Sequence, residues 1–67
     1  MLSARNQFKG TVKSVNLGPV MAEVVVSAGG LEIVSVITRT SAESLALKPG
    51  DEVKAIIKST EILIDKS

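Results

Sequence analysis

The chain has 67 residues and a mass of 7.0 kDa, and a chain this short buries only about 60% of the surface that its unfolded form exposes, so its core is marginal. It contains no Cys and no His, which excludes disulfides, thiol chemistry, Cys/His zinc sites and the Ser-His-Asp or Cys-His nucleophiles. We therefore predict a single domain over residues 1–67 with no catalytic residues and no metal site. It is not expected to be an enzyme, and self-association is its expected source of extra stability.

The charge balance argues against polyanionic partners. Eight Lys and Arg against seven Asp and Glu give a net charge of +1, which lacks the broad basic surface of a duplex-binding protein. Phe8 is the only aromatic residue, whereas single-strand binders stack bases on several aromatic faces. The apolar runs are too short for a membrane helix, and no secretory signal is visible. We expect a soluble cytoplasmic protein with no nucleic-acid or membrane partner.

The first half of the chain is typical of strands. Val and Ile supply 15 of the 67 residues, and β-branched side chains favour pleated strands. A first strand is predicted from about Asn6 to Leu17, with a bend suggested by its length and by Gly10. A second strand, over residues 20–27, alternates apolar and polar side chains, and a third covers Leu31–Thr38. The Gly29-Gly30 turn between them predicts a hairpin.

The second half adds a helix and two strands. Thr40-Ser41-Ala42-Glu43 fits a capping box, in which Thr40 caps a short helix carrying Leu45 and Glu43 bonds back to the cap. The turn at Pro49-Gly50 is followed by a fourth strand over residues 52–58 and a fifth over residues 61–64. The predicted fold is all-β, a five-stranded OB-like barrel with one short helix between strands 3 and 4.

Several apolar side chains fall on strand faces that the alternation assigns to solvent. These are Val25, Val34, Val36, Ile56 and Leu63. Sheet curvature is one explanation, since single exposed apolar residues are normal. A subunit interface is the other, and it agrees with the need of a small chain to bury area against copies of itself.

Three clusters combine hydroxyl groups with a cation or a turn. They cover residues 3–6, 38–41 and 58–60. Each has an ordinary explanation, as a chain terminus, a helix cap and a turn between strands. Together they offer the convergent N–H and O–H donors and the positive charge that a small tetrahedral oxyanion requires. The residues alone do not distinguish phosphate or sulfate from other oxyanions.

The motifs at these clusters are similar to those of a known family. The order Ser3-Ala4-Arg5-Asn6, Ile37-Thr38-x-x-Ser41, Leu47-Lys48-Pro49-Gly50 and Ile57-Lys58-Ser59-Thr60 resembles the molbindin (Mop) family from about residue 3 to residue 64. The resemblance implies a single Mop, or TOBE-type, domain. It also implies a homohexamer, a trimer of dimers, that binds molybdate or tungstate between subunits as an intracellular molybdenum store, with no organic cofactor.

The same resemblance nominates the molybdate-binding residues. They are Ser3, Ala4, Arg5, Thr38, Ser41, Lys58, Ser59 and Thr60. Ala4 is expected to act through its backbone amide, and Lys58 to supply the full charge. For Arg5 the sequence leaves open whether the side chain or the backbone binds. The alternative function is a structural or interaction module with a generic sulfate or phosphate site.

Overall fold

The computed structural model describes residues 4–66. In chain order its elements are β1 (Asn6–Leu17), β2 (Met21–Ala28), β3 (Leu31–Thr38), α1 (Arg39–Ser44) and β4 (Glu52–Ile57), followed by a 3₁₀ turn over Ser59–Glu61. The strands form one antiparallel sheet in the order β3-β2-β1-β4. The bounds of β1 and β3 agree with the prediction, and β2 and β4 differ from it by one residue at their ends.

Strand β1 lies in the centre of the sheet and changes its pairing partner along its length. Its first half pairs with β4 and its second half with β2. The register with β2 shifts between Val12 and Ser14, which places the irregularity of the strand at Lys13. Gly10 has another role, because a Cβ there would lie 2.5 Å from the Ser27 carbonyl oxygen and 2.8 Å from Val26 Cγ1. Only glycine permits this approach of the two strands.

The core consists of small and medium apolar side chains. Val12, Val24 and Val26 form its centre, and the alternation predicted for β2 is confirmed by the burial of every second side chain in that strand. The buried side chains of the described residues are Val12, Ala22, Val24, Val26, Ala28 and Ala42. Val15, Ile33, Ile37, Leu47 and Val53 pack against the core and are only partly buried. A core made of Val and Ala leaves the domain marginally stable.

The predicted fifth strand is not confirmed. Residues 62–66 have no regular secondary structure, and Glu61 ends the 3₁₀ turn. The sheet is therefore open between the outer edges of β3 and β4 and does not close into a barrel. Ile62, Leu63 and Ile64 are all apolar and therefore lack the alternation that is typical of a half-buried strand. A strand is also stable only where a pairing partner is available.

Most of the apolar residues assigned to the outer faces are indeed exposed. Val34 is 59% exposed, Val36 61%, Ile56 41% and Leu63 92%. Val25 is half-buried. Leu31, at the start of β3 beside the hairpin turn, is also exposed. Within the part of the chain that the structure describes, no helix combines the length and apolar character needed to cross a membrane.

Candidate functional site

The first and third hydroxyl clusters leave the sheet at the same edge. Strands β1 and β4 are antiparallel, and Asn6 at the start of β1 lies opposite Ile57 at the end of β4. The residues just before β1 and just after β4, Arg5 and Lys58, therefore adjoin each other in the register of the sheet. Ser3 lies outside the described residues. The structure thus brings together two of the clusters that were proposed from sequence, at what we call the β1/β4 end.

Local backbone bonds shape the β1/β4 end. Lys58 is extended, with φ −65° and ψ 131°, and its carbonyl oxygen accepts a hydrogen bond from the Glu61 amide at 2.9 Å. This bond closes the 3₁₀ turn that carries Ser59 and Thr60. On the other strand, the Gln7 side-chain amide donates to the carbonyl oxygen of Ala4. Ala4 is half-buried, whereas Arg5, Lys58, Ser59 and Thr60 are exposed.

The helix cap is at Thr38 and not at Thr40, so the predicted capping box is wrong. The Thr38 side chain accepts a hydrogen bond from the Ser41 amide at 3.1 Å, and the helix begins at Arg39. The reason is that β3 runs directly into α1, and the Arg39 amide donates to the Val20 carbonyl at 2.8 Å. Thr40 is consequently inside the helix. Glu43 does not reach back to a cap and instead faces Arg39.

The cap also orders a pair of hydroxyl groups. Thr38 Oγ1 lies 2.8 Å from Ser41 Oγ and donates to it, which leaves the Ser41 hydroxyl hydrogen to point outward. Both side chains are exposed. Thr38 lies opposite Met21, beside the Leu17 end of β1. The Thr38–Ser41 pair is therefore at the opposite end of β1 from Arg5 and Lys58, and one chain does not gather all the proposed residues.

Arg39 has a structural role that the sequence analysis did not identify. It is half-buried, its Nη1 donates to the Gly18 carbonyl at 3.3 Å, and its Nε lies 3.4 Å from Glu43 Oε2. These bonds tie the β1–β2 connection to α1 and hold the end of β3. The only signal of this role in the sequence is the spacing of four residues between Arg39 and Glu43, which brings the two side chains onto one face of a helix.

The cations at the β1/β4 end are not neutralised within the described residues. The ion pairs of residues 4–66 join Lys13 to Glu32, Arg39 to Glu43 and Lys48 to Asp51. Neither Arg5 nor Lys58 takes part in one. No group of three or more Asp and Glu side chains in this range is placed to hold a metal cation. The exposed donors and positive charge of this end are suited to an anion.

Comparison with known protein families supports the resemblance drawn from the motifs. A model described as the TOBE domain matches residues 2–64. Molybdenum-pterin-binding protein 3 of Clostridium pasteurianum is 50% identical over 64 residues, covering 94% of each chain. The molybdenum transport protein ModE of Herbaspirillum seropedicae is 43% identical over 63 residues, which are 92% of this chain and 23% of that protein.

Solved structures agree in fold. A molybdate-binding protein from Sporomusa ovata has a TM-score of 0.93 at 42% identity and covers 98% of both chains. MopII from C. pasteurianum has a TM-score of 0.92 at 45% identity, over 98% of this chain and 100% of that one. The cytoplasmic molybdate-binding protein ModG, with molybdate bound, has a TM-score of 0.83 at 47% identity, over 88% of this chain and 43% of that one.

These matches place the chain in a class of small OB-like domains. The proteins that it resembles are named for the binding of molybdenum or molybdate. The chain belongs to the TOBE-domain family, and among its relatives are molybdenum-pterin-binding (Mop) proteins that it matches over 94% of their length. The resemblance to molbindins that the sequence motifs indicated is thereby confirmed.

Proposed function

We propose that this protein binds molybdate, and also tungstate, at sites shared between the subunits of a cytoplasmic homo-oligomer, and that it serves intracellular molybdenum storage. The observation that carries the proposal is the β1/β4 end, where Arg5 and Lys58 adjoin each other without an ion pair in the described part of the chain. The names of the similar proteins supply the identity of the anion.

The argument for shared sites begins with solvent exposure. Molybdate is a dianion, and holding it tightly out of water requires that its oxygens be saturated with donors, because an unpaired buried charge costs many kcal/mol. Arg5 and Lys58 lie at one end of β1, and the Thr38–Ser41 pair lies at the other. In a single chain all of these side chains are exposed. A second subunit that brings its Thr38–Ser41 pair to the β1/β4 end of the first would supply both the missing donors and the cover.

Each proposed ligand has a distinct part. Lys58 and Arg5 offset the charge of the anion, and hydroxyl and amide groups satisfy its individual oxygens. The full proposed set is Ser3, Ala4, Arg5, Thr38, Ser41, Lys58, Ser59 and Thr60. Cavity size, set by packed backbone, would select molybdate over the smaller sulfate and would barely separate it from tungstate. The proposed assembly is a hexamer built as a trimer of dimers.

The proposal involves no organic cofactor. Some similar proteins carry pterin in their names, and a flat pterin ring stacks best on aromatic side chains. Phe8 is the only aromatic residue of the chain, and neither group of proposed ligands includes it. Hydroxyl and cationic donors are suited to a small tetrahedral anion instead.

Native mass spectrometry of the purified protein tests this function directly. Spectra are recorded without ligand, with molybdate, and with molybdate in the presence of increasing sulfate. We expect a hexamer that gains several molybdates despite excess sulfate. An oligomer that prefers sulfate or phosphate would favour the generic anion module, and a chain that gains no oxyanion in any form would overturn the proposal.

A further inference from the structure

Gln7 holds the backbone that leads into β1 at the β1/β4 end. Its exposed side chain reaches back along the chain, and its Nε2 donates a hydrogen bond to the carbonyl oxygen of Ala4. A carbonyl oxygen can only accept, so the side-chain amide of Gln7 must present its nitrogen, and not its oxygen, to Ala4. The chain bends at Arg5, and the bond from Gln7 therefore spans this bend.

The carbonyl of Ala4 and the amide of Arg5 belong to one peptide group. This group is planar and trans, so its C=O and N–H bonds point in opposite directions. A contact that fixes the direction of the carbonyl therefore also fixes the direction of the Arg5 N–H. Gln7 thus acts on the backbone amide of Arg5 through the carbonyl of Ala4.

The direction of this peptide group matters to an anion at the β1/β4 end. A backbone N–H that faces a dianion attracts it, whereas a carbonyl oxygen carries partial negative charge and repels it. Ala4 and Arg5 are both members of the proposed ligand set. A carbonyl that is held by Gln7 is not free to turn toward the anion, and the opposite end of the same peptide group offers its N–H.

The position of Gln7 separates this task from support of the core. Gln7 lies opposite Ile56, one pair along from the end of the β1–β4 ladder, and its side chain is exposed. Its hydrogen bond joins two residues that are close in the chain. Water competes for such a bond, so its net contribution to the stability of the fold is small. Its effect is on the local direction of the backbone.

We propose that Gln7 is a positioning residue of the oxyanion site, which directs the backbone amide of Arg5 toward the bound anion by holding the carbonyl of Ala4. The inference rests on the proposed function and adds a residue to it that does not itself bind the ligand. In this arrangement Arg5 contributes its backbone amide as a donor, and its guanidinium group adds positive charge.

Gln7→Met tests the proposal, because Met has nearly the same length and shape as Gln but no donor. Isothermal titration calorimetry is expected to show molybdate binding weakened about two- to tenfold, the equilibrium equivalent of one neutral hydrogen bond. The midpoint of thermal unfolding should stay unchanged. Thr11→Val is the matched control, since Thr11 is an exposed polar residue farther along β1. Affinity equal to wild type in Gln7→Met, or an equal loss in Thr11→Val, would overturn the proposal.

Nuclear magnetic resonance of ¹⁵N-labelled protein distinguishes positioning from a general structural role. In the wild type, molybdate is expected to move the Arg5 amide proton downfield, as a new charge-assisted hydrogen bond does. Gln7→Met should reduce this movement and leave the amide signals of β2 and β3 unchanged. The same Arg5 movement in both proteins would contradict the positioning role, and so would changes spread over the whole sheet.

Sulfate separates a failure of this inference from a failure of the proposed function. Wild-type protein that binds sulfate and not molybdate would refute the proposed function alone, and weaker sulfate binding by Gln7→Met would then still support the role of Gln7. Wild-type protein that binds molybdate as tightly as Gln7→Met does would refute the role of Gln7 alone. Wild-type protein that binds neither anion would overturn both proposals.

Discussion

The hydroxyl of Thr38 accepts a hydrogen bond from the Ser41 amide at 3.1 Å and donates one to the Ser41 hydroxyl at 2.8 Å. One side chain thus starts α1 and orients a donor of the proposed site. Because the amide of Ser41 is occupied by the cap, the contribution of this residue to an oxyanion would come from its hydroxyl group. Thr38 therefore connects the stability of α1 with the proposed oxyanion site.

Thr38→Ala is expected to lower the free energy of unfolding by about 1 kcal/mol, the usual loss for a removed N-cap. It is also expected to weaken molybdate binding, because Ser41 loses its orienting partner. Thr40→Ala is the matched control, since Thr40 lies inside the helix where Ala has the higher propensity. Urea denaturation at one fixed protein concentration compares the two. A larger loss of stability for Thr40→Ala than for Thr38→Ala would contradict the assignment of the cap to Thr38.

Lys58→Ala is expected to weaken molybdate binding roughly tenfold or more, the scale of a lost hydrogen bond to a charged group. Assembly should be largely preserved, because the substitution leaves the exposed apolar side chains of the proposed interface unchanged. Lys54→Ala removes the same charge from another exposed position of the same region and should leave affinity nearly unchanged. Isothermal titration calorimetry measures both variants. Equal affinities for wild type and Lys58→Ala would exclude Lys58 from the site.

Val36→Asp is expected to dissociate the oligomer and to abolish binding with it. Val36 is 61% exposed on the outer face of β3, so the substitution should leave the fold of the single chain intact while it places a charge in the proposed interface. Val36→Thr keeps the shape without the charge and should retain assembly. Sedimentation velocity gives the oligomeric state. A monomer that keeps full affinity would show that the site is not shared between subunits.

Gly10→Ala is expected to destabilise the domain by about 1–3 kcal/mol, the range for an overpacked site. The added methyl group would meet the backbone oxygen of Ser27 at 2.5 Å, and this oxygen cannot move away without distorting β2. Gly29→Asn is a useful comparison, because its φ of 54° is tolerated by Asn and nothing lies within 4 Å of an added Cβ. Thermal unfolding should show the smaller loss for Gly29→Asn. The reverse order would contradict the close approach of β1 and β2.

The predictions that succeeded depend on local patterns. The alternation of β2 identified its buried face, and Gly29-Gly30 identified the hairpin, because side-chain period and turn chemistry are properties of neighbouring residues. The cap was assigned to Thr40 because its spacing to Glu43 fits a capping box. The true position depends on a bond from Arg39 to the distant Val20 carbonyl, which no local pattern contains.

The candidate site shows the same division between what local patterns predict and what depends on contacts between distant residues. Motifs named the hydroxyl and cationic residues, and the register that sets Asn6 opposite Ile57 brought Arg5 and Lys58 to one end of the sheet. The distance of Thr38 and Ser41 from that end could not be anticipated, because it depends on which strands pair and on the length of β1. The role of Arg39 was missed for a similar reason, since its partner Gly18 is 21 residues away in the chain.

The sequence by itself determined the class of the domain, its β character, its lack of thiol and imidazole chemistry, and its family. These follow from composition and short motifs, which are fixed before the chain folds. The tertiary structure decided that the sheet stays open between β3 and β4 and that Ile62, Leu63 and Ile64 lie outside it. The physical reason is that a strand is stabilised by the edge it pairs with, and the presence of such an edge depends on the whole fold.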